Sequence, residues 1–263
     1  MKRLALTLLG LSSLGLLGAC APAPTQRTQS QRIQTPPARA ALNSLPFQAD
    51  FSDAGVTWVS SGQAYVARAP SLRVQPAPLP TPAVAAAWVG SVAWGALPDA
   101  GLIVTLDGPP ETRVVGRAVR LSSQRIYRQD GSAVNYGGGA AGGVLGFPQA
   151  VLTGGDGEEY ALVGGDLERP GSPPTVLSAG AQAYLYRLPG RGAATSNVPT
   201  VQTDQGLYRL SGTQLERLDA AGRTVTGLPH GPGLIGVVGG RIVTLSADGR
   251  IRVFLSDLRE VRP

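Results

Sequence analysis

The sequence predicts an all-β body over residues 42–263, and three observations carry that reading. Short runs of Val, Ile, Leu, Tyr and Thr alternate with turn residues, Asp-Gly and Ser-Gly dipeptides sit between paired runs, and scarcely a window has apolar residues at helical spacing. The 36 glycines and 22 prolines among 263 residues supply the punctuation that many short strands need. A segment of this length suits one domain of the larger all-β kind.

The chain opens differently. Lys2 and Arg3 precede an uncharged, leucine-rich run from Leu4 to Leu17, the pattern of a secretory signal. That run is shorter than the roughly 20 apolar residues that cross a bilayer as a helix, so removal is expected rather than retention. It closes on Leu17-Gly18-Ala19-Cys20, which resembles the lipobox of bacterial lipoproteins. The resemblance implies export, cleavage after residue 19, a diacylglycerol on the Cys20 thiol and acylation of its freed amine. An ordinary signal peptide that happens to contain a cysteine is the alternative. Cys20 is the only cysteine, so a disulfide within the monomer is impossible and lipidation accounts for the residue. Ala21 follows where inner-membrane lipoproteins carry Asp, which implies the outer membrane in a cell that has one. Residues 20–41 are rich in Pro, Gln, Thr and Arg and poor in large apolar side chains. Such a composition cannot bury enough surface to offset its ordering entropy, so a disordered linker is expected. Its Arg27, Arg32 and Arg39 either solubilise it or touch anionic head groups.

After residue 19 the chain holds 21 arginines, no lysine and 17 carboxylates, a surplus of four positive charges. This is a poor nucleic-acid signal, and no nucleic-acid partner is expected. The arginine-only usage suits bidentate contact with phosphate or carboxylate, although a GC-rich genome produces the same bias.

Within the body, Arg241 to Leu255 reads as two strands about Asp248-Gly249. Ile251, Val253 and Leu255 alternate with Arg250, Arg252 and Phe254, giving one apolar and one mixed face. Gly206 to Leu218 repeats the pattern about Ser211-Gly212, and Arg125 to Tyr136 about Asp130-Gly131. An Asp followed within two residues by Gly and then by a strand-like run recurs at Gly55, Gly101, Gly131, Gly157, Gly206 and Gly249. With Gly131 set aside as a second turn of one unit, the intervals are roughly 46, 56, 49 and 43 residues, within the range of propeller repeats. Asp204-Gln-Gly-Leu-Tyr-Arg-Leu210 and Leu215 to Gly222 resemble the strand-and-turn units of quinoprotein-type β-propellers. That resemblance implies a single propeller-like domain; a body of about 220 residues at roughly 40–50 per blade gives five blades, or a compact six, and hiding the sheet edges requires the first strands beside the last blade. A β-sandwich or two small barrels is the alternative.

Chemistry-bearing residues are sparse. With His230 the single histidine, a transition-metal site of His and Cys ligands cannot form in one chain. His230 lies in Leu228-Pro-His-Gly-Pro-Gly233, a turn-forming stretch with no nucleophile elbow nearby, and no catalytic set is assigned. Gly137 to Gly143 is glycine-rich but has no Lys and precedes no helical pattern, so it is a loop rather than a phosphate cradle. Asp156, Glu158, Glu159 and Asp166 gather carboxylates on glycine-rich turns, a candidate Ca²⁺ loop that partly resembles a calcium-binding nonapeptide repeat; solvated loop charge is the alternative. Otherwise no cofactor is expected. Trp88 and Trp94 share strand parity in an apolar stretch and read as core, with a partner-docking or glycan-stacking patch as the second option.

These readings converge on an exported lipoprotein, held to a membrane through lipid on Cys20, whose body is a non-catalytic binding or scaffolding module for an envelope protein or polymer. A glycan-processing propeller enzyme and an outer-membrane assembly factor are the alternatives.

Overall fold

A computed structural model describes residues 47–262. Cys20, the signal peptide, the linker and residues 42–46 lie outside the described residues. Those described form only strands, turns and loops.

Six sheets are four-stranded meanders. Blade 1 is β1 (Phe47–Ser52), β2 (Gly55–Ser60), β3 (Gln63–Arg68) and β4 (Arg73–Pro76); blade 2 is β5 (Ala85–Val89), β6 (Val92–Leu97), β7 (Leu102–Thr105) and β8 (Thr112–Val114). Blade 3 is β9 (Ala118–Leu121), β10 (Arg125–Arg128), β11 (Ala133–Asn135) and β12 (Ala140–Ala141); blade 4 is β13 (Pro148–Thr153), β14 (Glu159–Val163), β15 (Asp166–Arg169) and β16 (Thr175–Ser178). A two-stranded hairpin follows, β17 (Tyr184–Arg187) and β18 (Ala193–Ser196). Blade 5 is β19 (Thr200–Thr203), β20 (Gly206–Leu210), β21 (Gln214–Leu218) and β22 (Thr224–Pro229); blade 6 is β23 (Gly233–Val238), β24 (Arg241–Ser246), β25 (Ile251–Phe254) and β26 (Glu260–Val261).

The first strand of each sheet lies beside the first strand of the next, and β23 returns to β1. The sheets therefore form a ring, with six full blades and the hairpin as a thin sector between blades 4 and 5. The Asp-to-Gly motif marks at least one hairpin in each four-stranded blade, two in blade 2 where Asp107-Gly108 follows β7, and none in the thin sector. It does so at different corners: β1/β2 in blade 1 but β24/β25 in blade 6. Gly131 is thus the turn of its own blade 3, not a second turn of a neighbouring unit.

The inner strands of most blades are covered on both faces by adjacent sheets, so the core lies between sheets. In β5, Ala86 and Trp88 pack toward blade 1 while Ala85 and Ala87 pack toward blade 3. The same geometry corrects the reading of β25. Val253 is buried against blade 1, and Phe254, on the strand's mixed face, is buried against blade 5. Six apolar clusters bridge successive sheets, but among the described residues none joins the hairpin to blade 5.

Blades 6 and 1 close the ring as separate sheets, each built from contiguous chain, with no strand passing from one to the other among the described residues. Val56, Trp58 and Ala67 pack on Val238, Val243, Leu245 and Val253. The Gly239 N–H donates to Asp53 Oδ1 at 3.2 Å. Close approach depends on Gly236, where a Cβ would lie 2.2 Å from the Phe51 ring.

Candidate functional site

The seven first strands pair on one side only, leaving a free edge toward the ring axis, where they line a channel of about 1340 Å³. Unpaired backbone groups on such edges need partners. Two charged side chains supply them. Asp50 on β1 accepts the Trp88 N–H of β5 at 2.7 Å, and Arg120 on β9 donates through Nε to the Pro148 carbonyl at 3.1 Å and through Nη2 to the Gln149 carbonyl at 2.6 Å. Both line the channel. Asp50 keeps partial access to it but is closely surrounded by protein, and burial pushes its carboxyl up to about 6 against the opposing bonds from the Trp88 and Phe51 backbone. Arg120 is 8% exposed, and burial lowers its guanidinium to about 10.

The wall between blades 3 and 4 holds the densest polar network. Glu159, the first residue of β14, is fully enclosed and accepts hydrogen bonds from Ser122 Oγ, Arg125 Nη1 and, at 2.9 Å, the Tyr127 hydroxyl. Burial works against the Arg125 charge, but Glu159 outweighs it and holds the guanidinium above its ordinary value. Burial first, then the Glu159 charge, pushes the Tyr127 phenol up. Asp156 and Asp166 of the candidate Ca²⁺ loop are engaged separately, and the Glu158 side chain is exposed. Asp156 accepts the Tyr160 hydroxyl at 2.6 Å and the Glu158 N–H at 3.0 Å, the Tyr160 bond chiefly holding its carboxyl low. Asp166 accepts the Gly180 N–H at 3.4 Å. The structure does not bring the four together, and no group of three His, Cys, Asp or Glu side chains placed to hold a metal occurs among the described residues.

Trp88 and Trp94 are 2% and 4% exposed and belong to the core. The turn between β5 and β6 sets Trp94 opposite Ala87, so the two indoles lie on opposite faces of blade 2 despite their even spacing. Their burial leaves no indole surface patch. His230 does lie in the loop after β22, but it is buried there. Its Nδ1–H donates to the Gly231 carbonyl at 2.6 Å, so Nε2 accepts the hydroxyl of Thr244, itself fully buried, at 2.8 Å. Burial lowers its pKa. Gly137 to Gly143 forms the β11/β12 turn and an isolated bridge from Gly143 to Gly171.

Meander sheets set around a channel, each packing its faces on its neighbours, define a β-propeller. Known structures agree: the chain is similar to PorZ, described as an essential bacterial surface component of the type-IX secretion system of Porphyromonas gingivalis, with a TM-score of 0.52 and 14% identity over 81% of this chain and 37% of that one. It also aligns with streptogramin B lyase (TM-score 0.38, 14% identity, 81% of this chain and 83% of that one) and with the virginiamycin B lyase of Staphylococcus aureus (0.34, 11%, 84% and 88%). At 14% identity the likeness to PorZ is one of fold alone, and the chain spans 37% of the PorZ chain. No protein-family model matches the chain, and no curated protein matches its sequence.

Sequence reasoning missed Asp50 and Arg120 as channel residues. The available signal was a charge set inside a short apolar strand, as in Ala118-Val-Arg-Leu121. Glu159 carried the same signal, since Glu-Tyr-Ala-Leu-Val is a strand buried on both faces.

Proposed function

We propose that this protein is an exported, lipid-anchored propeller that acts as a non-catalytic binding or scaffolding module of the cell envelope. The observation that carries the proposal is the succession in one chain of a lipobox-like Leu17-Gly18-Ala19-Cys20, a polar spacer and a propeller. A diacylated cysteine is a durable tether, because each buried methylene contributes about 0.8 kcal/mol and two chains suffice for stable anchoring. The outer membrane is the favoured site in a cell that has one. The blade loops then offer a broad face to an envelope protein or polymer.

Two measurements test this. Cys20→Ala should shift the protein out of the carbonate-washed membrane fraction; retention there would show that lipid is not the tether. Affinity isolation of the lipidated protein from its own membranes should recover a stoichiometric envelope partner. A lone protein that turns over a glycan would replace the module by an enzyme.

A further inference from the structure

We propose that the channel is a binding site for a small organic anion, held through a carboxylate or phosphate group on Arg120. The eight ion pairs among the described residues occupy Arg68, Arg113, Arg117, Arg125, Arg209, Arg223, Arg250 and Arg252. Arg120 has no such partner, although it is more deeply buried than any of them. Burial lowers its guanidinium, and no carboxylate pairs with it among the described residues. A desolvated cation without a counter-ion is costly, and a ligand oxyanion that reaches it recovers that cost as affinity.

The geometry suits such a ligand. The Pro148 and Gln149 carbonyls take Nε and one N–H of Nη2, which fixes the guanidinium plane, and the Phe147 ring lies 5.9 Å from Cζ. Nη1 has no hydrogen bond among the described residues, and Arg120, 8% exposed, lines the channel. A fixed planar guanidinium with an open N–H edge matches carboxylate and phosphate oxygens better than any ammonium does. At about 1340 Å³ the channel holds more than a lone inorganic ion, and Gln149, Thr200 and Gln202 add uncharged polar groups to its wall. Most of the remaining charges on the wall do not oppose an anion strongly. Asp53 and Asp204 are exposed to screening solvent and Arg187 favours an anion, while Asp50, with its carboxyl at about 6, is the one enclosed charge that opposes an anion, less so as pH falls below about 6. This site is independent of the lipid anchor and of any partner on the blade loops, so either can fail without the other.

The test uses the mature lipidated protein in detergent micelles, titrated with citrate, with inorganic phosphate and with sodium chloride at matched ionic strength. Arginine Nε–Hε resonances are followed by NMR, and Arg120 is assigned as the signal missing from Arg120→Lys. One saturable shift confined to that signal is expected below about 10 mM, with chloride inert. Citrate or phosphate as the stronger ligand identifies the group recognised. In calorimetry Arg120→Lys, which keeps the charge and loses the planar fork, should bind at least about tenfold more weakly. If the variant fails to fold, the Arg120 signal is assigned from its through-space contact with the Phe147 ring, and the wild-type titration alone decides. No saturable shift with either anion, or a shift shared by all arginines, would overturn the site.

Discussion

Replacing Glu159 by alanine removes the acceptor shared by Ser122, Arg125 and Tyr127. The Tyr127 hydroxyl would then sit in a fully enclosed position with no partner, and the Arg125 guanidinium would lose its carboxylate at a side chain 22% exposed. Breaking a buried ion pair from one side costs about 3–5 kcal/mol. Arg125 can recover part of this from water, which places the expected loss near the lower end, about 3 kcal/mol. For a domain of this size each kcal/mol corresponds to roughly 2–4 °C, so melting should fall by about 6–12 °C. Glu159→Gln keeps the volume and an acceptor but loses the charge, and should fall about half as far. Thermal and urea unfolding followed by near-ultraviolet circular dichroism measure both. A Glu159→Ala protein that melts within about 2 °C of wild type would refute the reasoning. Millimolar calcium should leave both melting points unchanged; a rise in the wild type alone would return Glu159 to the role of a cation ligand.

Three further outcomes are expected. Gly236→Val places side-chain atoms where the Phe51 ring lies and should destabilise the seam between blades 6 and 1 by about 1–3 kcal/mol, seen as a lower urea midpoint. Asp50→Asn keeps an acceptor for the Trp88 N–H and removes a carboxyl whose folded value, about 6, lies above its unfolded one. Wild-type stability should therefore decline as pH rises from about 4 to 6 through this group, and the variant should gain up to about 3 kcal/mol at pH 8 and nothing below pH 4. Hydrogen exchange should be fastest among the sheets in β17 and β18, because no buried apolar cluster ties that hairpin to blade 5; protection equal to that of β24 would contradict this.

The hairpins were legible in the sequence because a tight turn imposes a local requirement, positive φ, that Asp-Gly meets within two residues; Gly131 and Gly249 adopt φ of 86° and 82°. Blade number was legible only where the Asp-to-Gly turn leads into a strand-like run, since each full blade holds one such turn and Asp107-Gly108 leads into Pro-Pro instead. The thin sector was not, because two missing strands leave no local mark. Burial on both faces also hides from alternation: Val253 and Phe254 are adjacent, and both are core. Parity misled at Trp88 and Trp94, where a turn transfers even spacing to the opposite face. The channel residues were out of reach for a different reason. Asp50 meets Trp88, and Arg120 meets Gln149, only after ring geometry aligns strands about thirty or more residues apart.

The seam joins residues at opposite ends of the described chain, such as Trp58 and Val253, so it carries a large loop-closure entropy and is the contact expected to form last. Until it forms, the molecule is an arc with two bare ends, one bearing Val56 and Trp58 and the other Val243 and Leu245. Those ends are complementary by construction and unlike each other. Two arcs can therefore satisfy each other head to tail as readily as one arc satisfies itself, and a heterologous contact of that kind propagates unless it closes. Ring closure and chain-to-chain polymerisation compete for the same surfaces, with protein concentration during refolding deciding between them.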